Sequence, residues 1–127
     1  MAAAALAPAR LCPGLGIDLE EPAGLDAGLV GRVALPAELA SGLPDLAGGV
    51  EHAARVLFSA KESAYKCLWP LTGRFLEFHD LELSPGNDRE LVVRAVRVPE
   101  VAGWAPRLRV RWIRDTHWVI TAAWLTP

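Results

Sequence analysis

The chain has 127 residues and a mass of 13.7 kDa, the size of one domain, so a second independent catalytic domain is excluded. At 52% hydrophobic and 22% charged, with a mean hydropathy of +0.24, it can bury roughly two-thirds of its unfolded surface, which excludes a disordered chain. Its net charge of −2 gives no electrostatic case for nucleic acid, and no apolar run reaches the ~18 residues of a membrane span.

The alanine-rich start, Met1–Leu6, lacks a basic region and is interrupted by Pro8 and Arg10, so residues 1–13 are expected to form a flexible leader rather than a secretion signal. Cys12 and Cys67 lie far apart, outside any Cys-x-x-Cys or metal-ligand spacing, which favours reduced thiols and a cytoplasmic setting. Charge is unevenly divided. Residues 1–60 hold 3 basic and 7 acidic side chains, residues 61–127 hold 10 and 8, so a site joining the two parts could hold a cation together with an anionic ligand.

In Gly-Leu-Gly-Ile-Asp-Leu-Glu at 14–20, apolar Ile17 and Leu19 alternate with Asp18 and Glu20, the period-2 pattern of a half-buried strand. Two carboxylates at i and i+2, about 6.5–7 Å apart along a strand, either converge on one ion or repel each other. After Pro22 a Gly/Ala/Leu-rich stretch predicts a short helix over 25–33 and turns around Pro36 and Pro44, with no evident chemistry. From Val50 the apolar residues recur at helical spacing until Trp69-Pro70 stops the run. Arg55, Ser59, Glu62 and Lys66 form a polar stripe on that helix, with Lys61 at its edge. Cys67 belongs near the buried side, as a small hydrophobe and not a nucleophile.

The remainder reads as strands: Phe75–Leu83, a turn over Ser84–Asp88, Leu91–Val98, then Arg107–Ile113 and His117–Leu125 across a hairpin-length connection. Both faces of the last run are apolar, which places it inside the sheet. Arg107, Arg109 and Arg111 alternate with apolar residues and predict a basic stripe, read as a solvated face; His52, His79 and His117 receive no role. The fold class expected is α+β, a long helix packed on a mostly antiparallel sheet.

Gly-Ile-Asp-Leu-Glu at 16–20, followed by Phe-Ser-Ala-Lys-Glu-Ser-Ala-Tyr-Lys at 58–66, resembles the paired signatures of the 4′-phosphopantetheinyl transferases, in spelling the Sfp/EntD type. The resemblance continues through Leu76–Leu83 and Val119–Leu125 and so covers residues 14–125. It implies one lobe of that fold over 14–127, and Mg²⁺-dependent transfer of phosphopantetheine from coenzyme A to a serine of an acyl or peptidyl carrier protein. Carried over by residue, Asp18, Glu20 and Glu62 would ligate Mg²⁺, Glu62 would also be the general base, and Lys66 would contact the coenzyme A phosphates. Lys61, the other lysine of the motif, is expected near those phosphates or in a structural role. A hard ion with oxygen ligands and a lysine on the phosphates suits the chemistry, since such transfer needs clamping and charge neutralisation more than covalent help.

In the two-lobe Sfp/EntD type the Gly-Ile-Asp strand lies near mid-chain; here it begins at Gly16, and residues 1–15 cannot encode a preceding lobe. Three readings follow: a truncated reading frame lacking its N-terminal lobe; self-association, as in the one-lobe AcpS type; or a non-catalytic lobe that binds metal or carrier protein. An isolated half would expose an apolar face and favour self-association. Which carrier protein or pathway is served, siderophore or other secondary metabolism included, is not encoded in these motifs.

Overall fold

The computed structural model describes residues 4–127. Positions 1–3 of the expected leader lie outside the described residues, and residues 4–14 form neither helix nor strand, apart from a turn in which the Pro8 carbonyl accepts from the Leu11 and Cys12 amides.

The first strand, β1 (Leu15–Glu20), realises the alternation seen at 14–20. The next stretch is more helical than predicted. A 3-10 turn at Ala27–Leu29 leads into α1 (Val30–Val33), and α2 (Pro36–Leu39) and α3 (Leu43–Ala47) replace the expected turns. The reason is positional: Pro36 and Pro44 stand in first turns, where a missing N–H costs nothing and the fixed φ suits a helix.

Helix α4 spans 23 residues, Val50–Thr72, and runs past the predicted stop at Trp69-Pro70. Pro70 sits in the last turn, where it forgoes the hydrogen bond to the Lys66 carbonyl alone, and the helix ends instead at Gly73, left-handed at φ 61° with its N–H on the Trp69 carbonyl. The buried face of α4 is built from Ala53, Ala54, Ala60 and Ala64 with Val56, Leu57 and Leu68, small enough for close approach to the sheet.

Beyond α4 come β2 (Leu81–Pro85), β3 (Glu90–Val96), the short α5 (Pro99–Ala102), β4 (Leu108–Arg114) and β5 (Val119–Leu125). The strand predicted over Phe75–Leu83 is thus mostly irregular, with a 3-10 turn at Phe78–Asp80. All pairings are antiparallel in the order β1-β5-β4-β3-β2, so β5 is interior, as its two apolar faces predict, and β1 is an edge. Val119, Thr121, Ala123 and Leu125 of β5 are buried beneath α4, whereas Ile120, Ala122 and Trp124 point to the other face.

Helix and sheet are also pinned by hydroxyls. Thr121 Oγ1 lies 2.9 Å from Ser59 Oγ and 2.6 Å from Ser63 Oγ, and Ser63 donates to the Thr121 carbonyl at 3.2 Å. All three residues are buried, which corrects the placement of Ser59 on the polar stripe: its partner comes from β5. Closest of all is β1. A Cβ at position 16 would run into the Ser63 carbonyl oxygen and fall 2.8 Å from the Cys67 nitrogen, so only glycine lets this strand lie on the helix. Gly16→Ala is expected to cost about 1–3 kcal/mol through overpacking, read from urea denaturation; unchanged stability would mean that the strand is not held so close.

Candidate functional site

Register places the acids of β1. Gly16, Asp18 and Glu20 oppose Ala123, Thr121 and Val119, the residues of β5 that face α4, while Ile17 and Leu19 oppose Ala122 and Ile120 on the outer face. The strand therefore turns its carboxylates toward the helix, where Glu62 and Lys66 stand one turn apart.

Lys66 Nζ donates to Asp18 Oδ1 at 2.9 Å and to the Ile17 carbonyl at 3.0 Å. Asp18 Oδ2 is buried with no hydrogen-bond partner. Arg55, about two helix turns before Glu62, reaches Glu20 Oε2 at 3.5 Å and is anchored through Nε on the Ala23 carbonyl at 3.1 Å. Burial first, and then the Asp18 charge, raise Glu20 above the ordinary carboxylate value, with Arg55 opposing. Glu62 is raised by burial and by Asp18 likewise, with Lys66 opposing. Three predicted carboxylates thus share one field of negative charge that two cations only partly offset. Such a field, with one carboxylate oxygen left without a donor, suits a hard cation with oxygen ligands. Among the described residues no group of three or more His, Cys, Asp or Glu side chains is placed to hold a metal ion.

Beside Glu62 opens a cavity of about 440 Å³ that no motif foretells. Tyr65 and Glu62 of α4 form one wall, Phe75, Leu76 and Phe78 the second, and Arg32 of α1 stands at the third. The aromatic side chains brace each other: Phe58 stacks on Phe78 with centroids 5.3 Å apart, and Tyr65 meets Phe75 edge-on at 5.6 Å. The irregular backbone of 75–80 therefore has a purpose that a strand would not serve.

Of the two roles expected for Lys61, the geometry supports the structural one. It is 5% exposed, and its three N–H groups go to the carbonyls of Val33 and Phe78 and to Glu38 Oε1, each at 2.8 Å. Burial lowers its pKa, and the Glu38 carboxylate works against that. Glu38 stands in a Gly/Ala/Leu-rich stretch with Asp26 and Asp45, and no local pattern sets it apart from those two acids. Cys67 is buried with its thiol pushed up to about 12 by burial, which fits a packing role. The arginines expected as a stripe are engaged locally, Arg107 on the Thr126 carbonyl, Arg109 on Pro106 and Leu108, Arg111 on Asp88.

A carboxyl raised in the folded state holds its proton more tightly there than in the unfolded chain, so the fold loses stability as pH climbs from the ordinary value of 4.5 through the raised one. Glu62→Gln is expected to raise the melting temperature near about pH 7 without divalent cations and to change it little near about pH 4. No gain at the higher pH would contradict the repulsion.

Comparison with known proteins shows the family and the fold. Residues 14–123 match the family model of the 4′-phosphopantetheinyl transferase superfamily. The chain is 37% identical over 128 residues to the 4′-phosphopantetheinyl transferase Svp of Streptomyces mobaraensis, covering 94% of this chain and 50% of that protein. It is 35% identical over 115 residues to PptT of Mycobacterium tuberculosis, covering 85% and 50%. The chain thus spans about half the length of these curated relatives. In fold it is similar to the Helicobacter pylori holo-[acyl-carrier-protein] synthase crystallised with coenzyme A, at a TM-score of 0.64 and 16% identity over 88% of this chain and 99% of that one. The holo-ACP-synthase of Plasmodium yoelii follows at 0.61 and 15%, over 88% and 92%. The chain belongs to the 4′-phosphopantetheinyl transferase superfamily.

Proposed function

We propose that this chain carries the ion-binding and base-bearing part of a transferase that moves 4′-phosphopantetheine from coenzyme A to a serine hydroxyl of an acyl or peptidyl carrier protein. One observation carries the reading: Asp18, Glu20, Glu62 and Lys66 interact as one charged cluster, and Glu62 also lines a cavity of about 440 Å³ with Tyr65, Phe75, Leu76 and Phe78 on its walls, which suits a slender, amide-bearing arm.

In the reaction, the serine oxygen bonds to the phosphorus that bears pantetheine. The bridging P–O bond breaks, and adenosine 3′,5′-bisphosphate leaves with the electron pair. Asp18, Glu20 and Glu62 would hold Mg²⁺, which when bound supplies neutralisation of pyrophosphate charge. Glu62, made a stronger base by burial and the Asp18 charge, is suited to take the serine proton directly or through one water. Lys66 is half exposed and bound to Asp18 by one salt bridge, so its ammonium can turn to the phosphate oxygens as they arrive. The apolar walls at Tyr65, Phe75 and Leu76 would take the arm and exclude water from it.

Two features bear on the working assembly. The chain covers 99% of the Helicobacter pylori synthase but 50% of Svp. Its outer sheet face carries the half-buried Ile17, Leu19, Ile120 and Trp124 and a 57% exposed Ile113 beside Arg109 and Arg111. Both support pairing with a second copy or a further lobe; the same half-length favours, as a second reading, a lobe that binds metal or carrier without turnover. Sedimentation of the purified chain is expected to show a dimer or larger species, and a strict monomer would count against self-association.

Incubation with Mg²⁺, coenzyme A and an apo carrier protein is expected to add one phosphopantetheinyl group by intact mass. Glu62→Gln should reduce the rate at least about 100-fold, within the range for losing a general base, while Arg109→Ala leaves it within about twofold. No transfer by the unaltered chain at high concentration favours the binding reading, and equal losses in both variants would remove Glu62 from its role.

A further inference from the structure

Glu38 and Lys61 form an ion pair that is almost fully removed from solvent, with side-chain exposures of 0% and 3%. Its connections converge on the cavity. Lys61 belongs to α4 and lines the cavity; through Nζ it holds the Val33 carbonyl at the end of α1 and the Phe78 carbonyl in the second wall. Glu38 of α2 accepts Lys61 and the Leu35 amide on Oε1, at 2.8 Å each, and the Leu83 amide of β2 on Oε2 at 2.9 Å. A separate tie runs parallel to it, where His79 Nε2 donates to the Gly31 carbonyl at 2.8 Å. All three walls, α4, α1 and the 75–81 segment, are therefore joined at one buried point, next in sequence to Glu62.

A buried pair of this kind gives little net stability, because desolvating two charges roughly cancels their attraction; what it fixes is geometry. Six directional hydrogen bonds define one separation of the walls, whereas apolar packing alone would tolerate several. We propose that Glu38 and Lys61 are positioning residues that set the width of the cavity beside Glu62, and with it the seat of the ligand's arm. The ligand half of this statement rests on the function proposed above; the wall-setting half does not.

The test uses the double variant Glu38→Gln/Lys61→Met, which removes both charges without stranding either, beside Val110→Ala, a core truncation in β4 away from the cavity. Hydrogen exchange is expected to quicken at residues 30–33 and 78–83 while the centre of α4 and β5 keeps its protection. Calorimetric titration with 4′-phosphopantetheine should show about a tenfold loss of affinity in the double variant and none in Val110→Ala. Exchange that quickens evenly along the chain, or equal affinity losses in the two variants, would overturn the proposal. If the unaltered chain does not bind 4′-phosphopantetheine, the reading of the cavity fails, and the exchange pattern alone decides for or against wall positioning. Should the double variant not fold, Glu38→Gln alone keeps the side-chain shape and is read in the same two ways.

Discussion

The contact on which the site depends is that of β1 with α4 at Gly16, where the strand backbone lies against the Ser63 carbonyl with no room for a side chain. Asp18 and Glu20 follow at positions i+2 and i+4 from that contact, so the pleat aims both at the helix. Ser63 and Lys66 in turn are on the helix turn that the strand touches. Moving β1 outward by the width of a methyl group would lengthen the Lys66 bridge to Asp18 and dilute the field that raises Glu62. Close packing and the chemistry of the site are here one constraint.

This arrangement inverts the usual order of a sheet edge. Its carboxylates face the protein, and its apolar residues, Ile17 and Leu19, face outward. Turning acids inward is costly, and the cost is visible as two raised carboxyls and an unpartnered Asp18 oxygen. Lys66 and Arg55 offset part of it. The rest is the unsatisfied charge that a cation would complete. The outward face is mixed, with Ile17, Leu19, Ile113 and Ile120 toward the β1 end and Arg109, Arg111 and Glu90 further along the sheet.

How far the amino-acid pattern foretold this depends on the range of the interactions involved. Asp18 and Glu20 alternate with apolar neighbours, and Glu62 and Lys66 lie four apart in a long periodic helix; both patterns are local, and both were legible. Ser59 was misplaced because a hydroxyl at polar spacing looks solvated unless one knows that Thr121, 62 positions later, waits beneath it. Glu38 and Lys61 met the same obstacle, as their partners come from three other segments. The stretch at 75–80 was expected to begin a strand running to Leu83, yet its aromatic residues line the cavity. Pro70 is a different case: so near the helix end a proline removes a single hydrogen bond and does not stop the helix.

The most direct measurement is a titration of the chain with Mn²⁺ as a paramagnetic stand-in for Mg²⁺, following the free-ion electron paramagnetic resonance signal in wild type, Asp18→Asn and Asp115→Asn. Asp115 lies in the β4–β5 turn, where it caps the His117 and Trp118 amides away from the site. One ion bound per folded chain, lost in Asp18→Asn and retained in Asp115→Asn, is the result predicted. Binding of equal strength in wild type and Asp18→Asn would contradict the account.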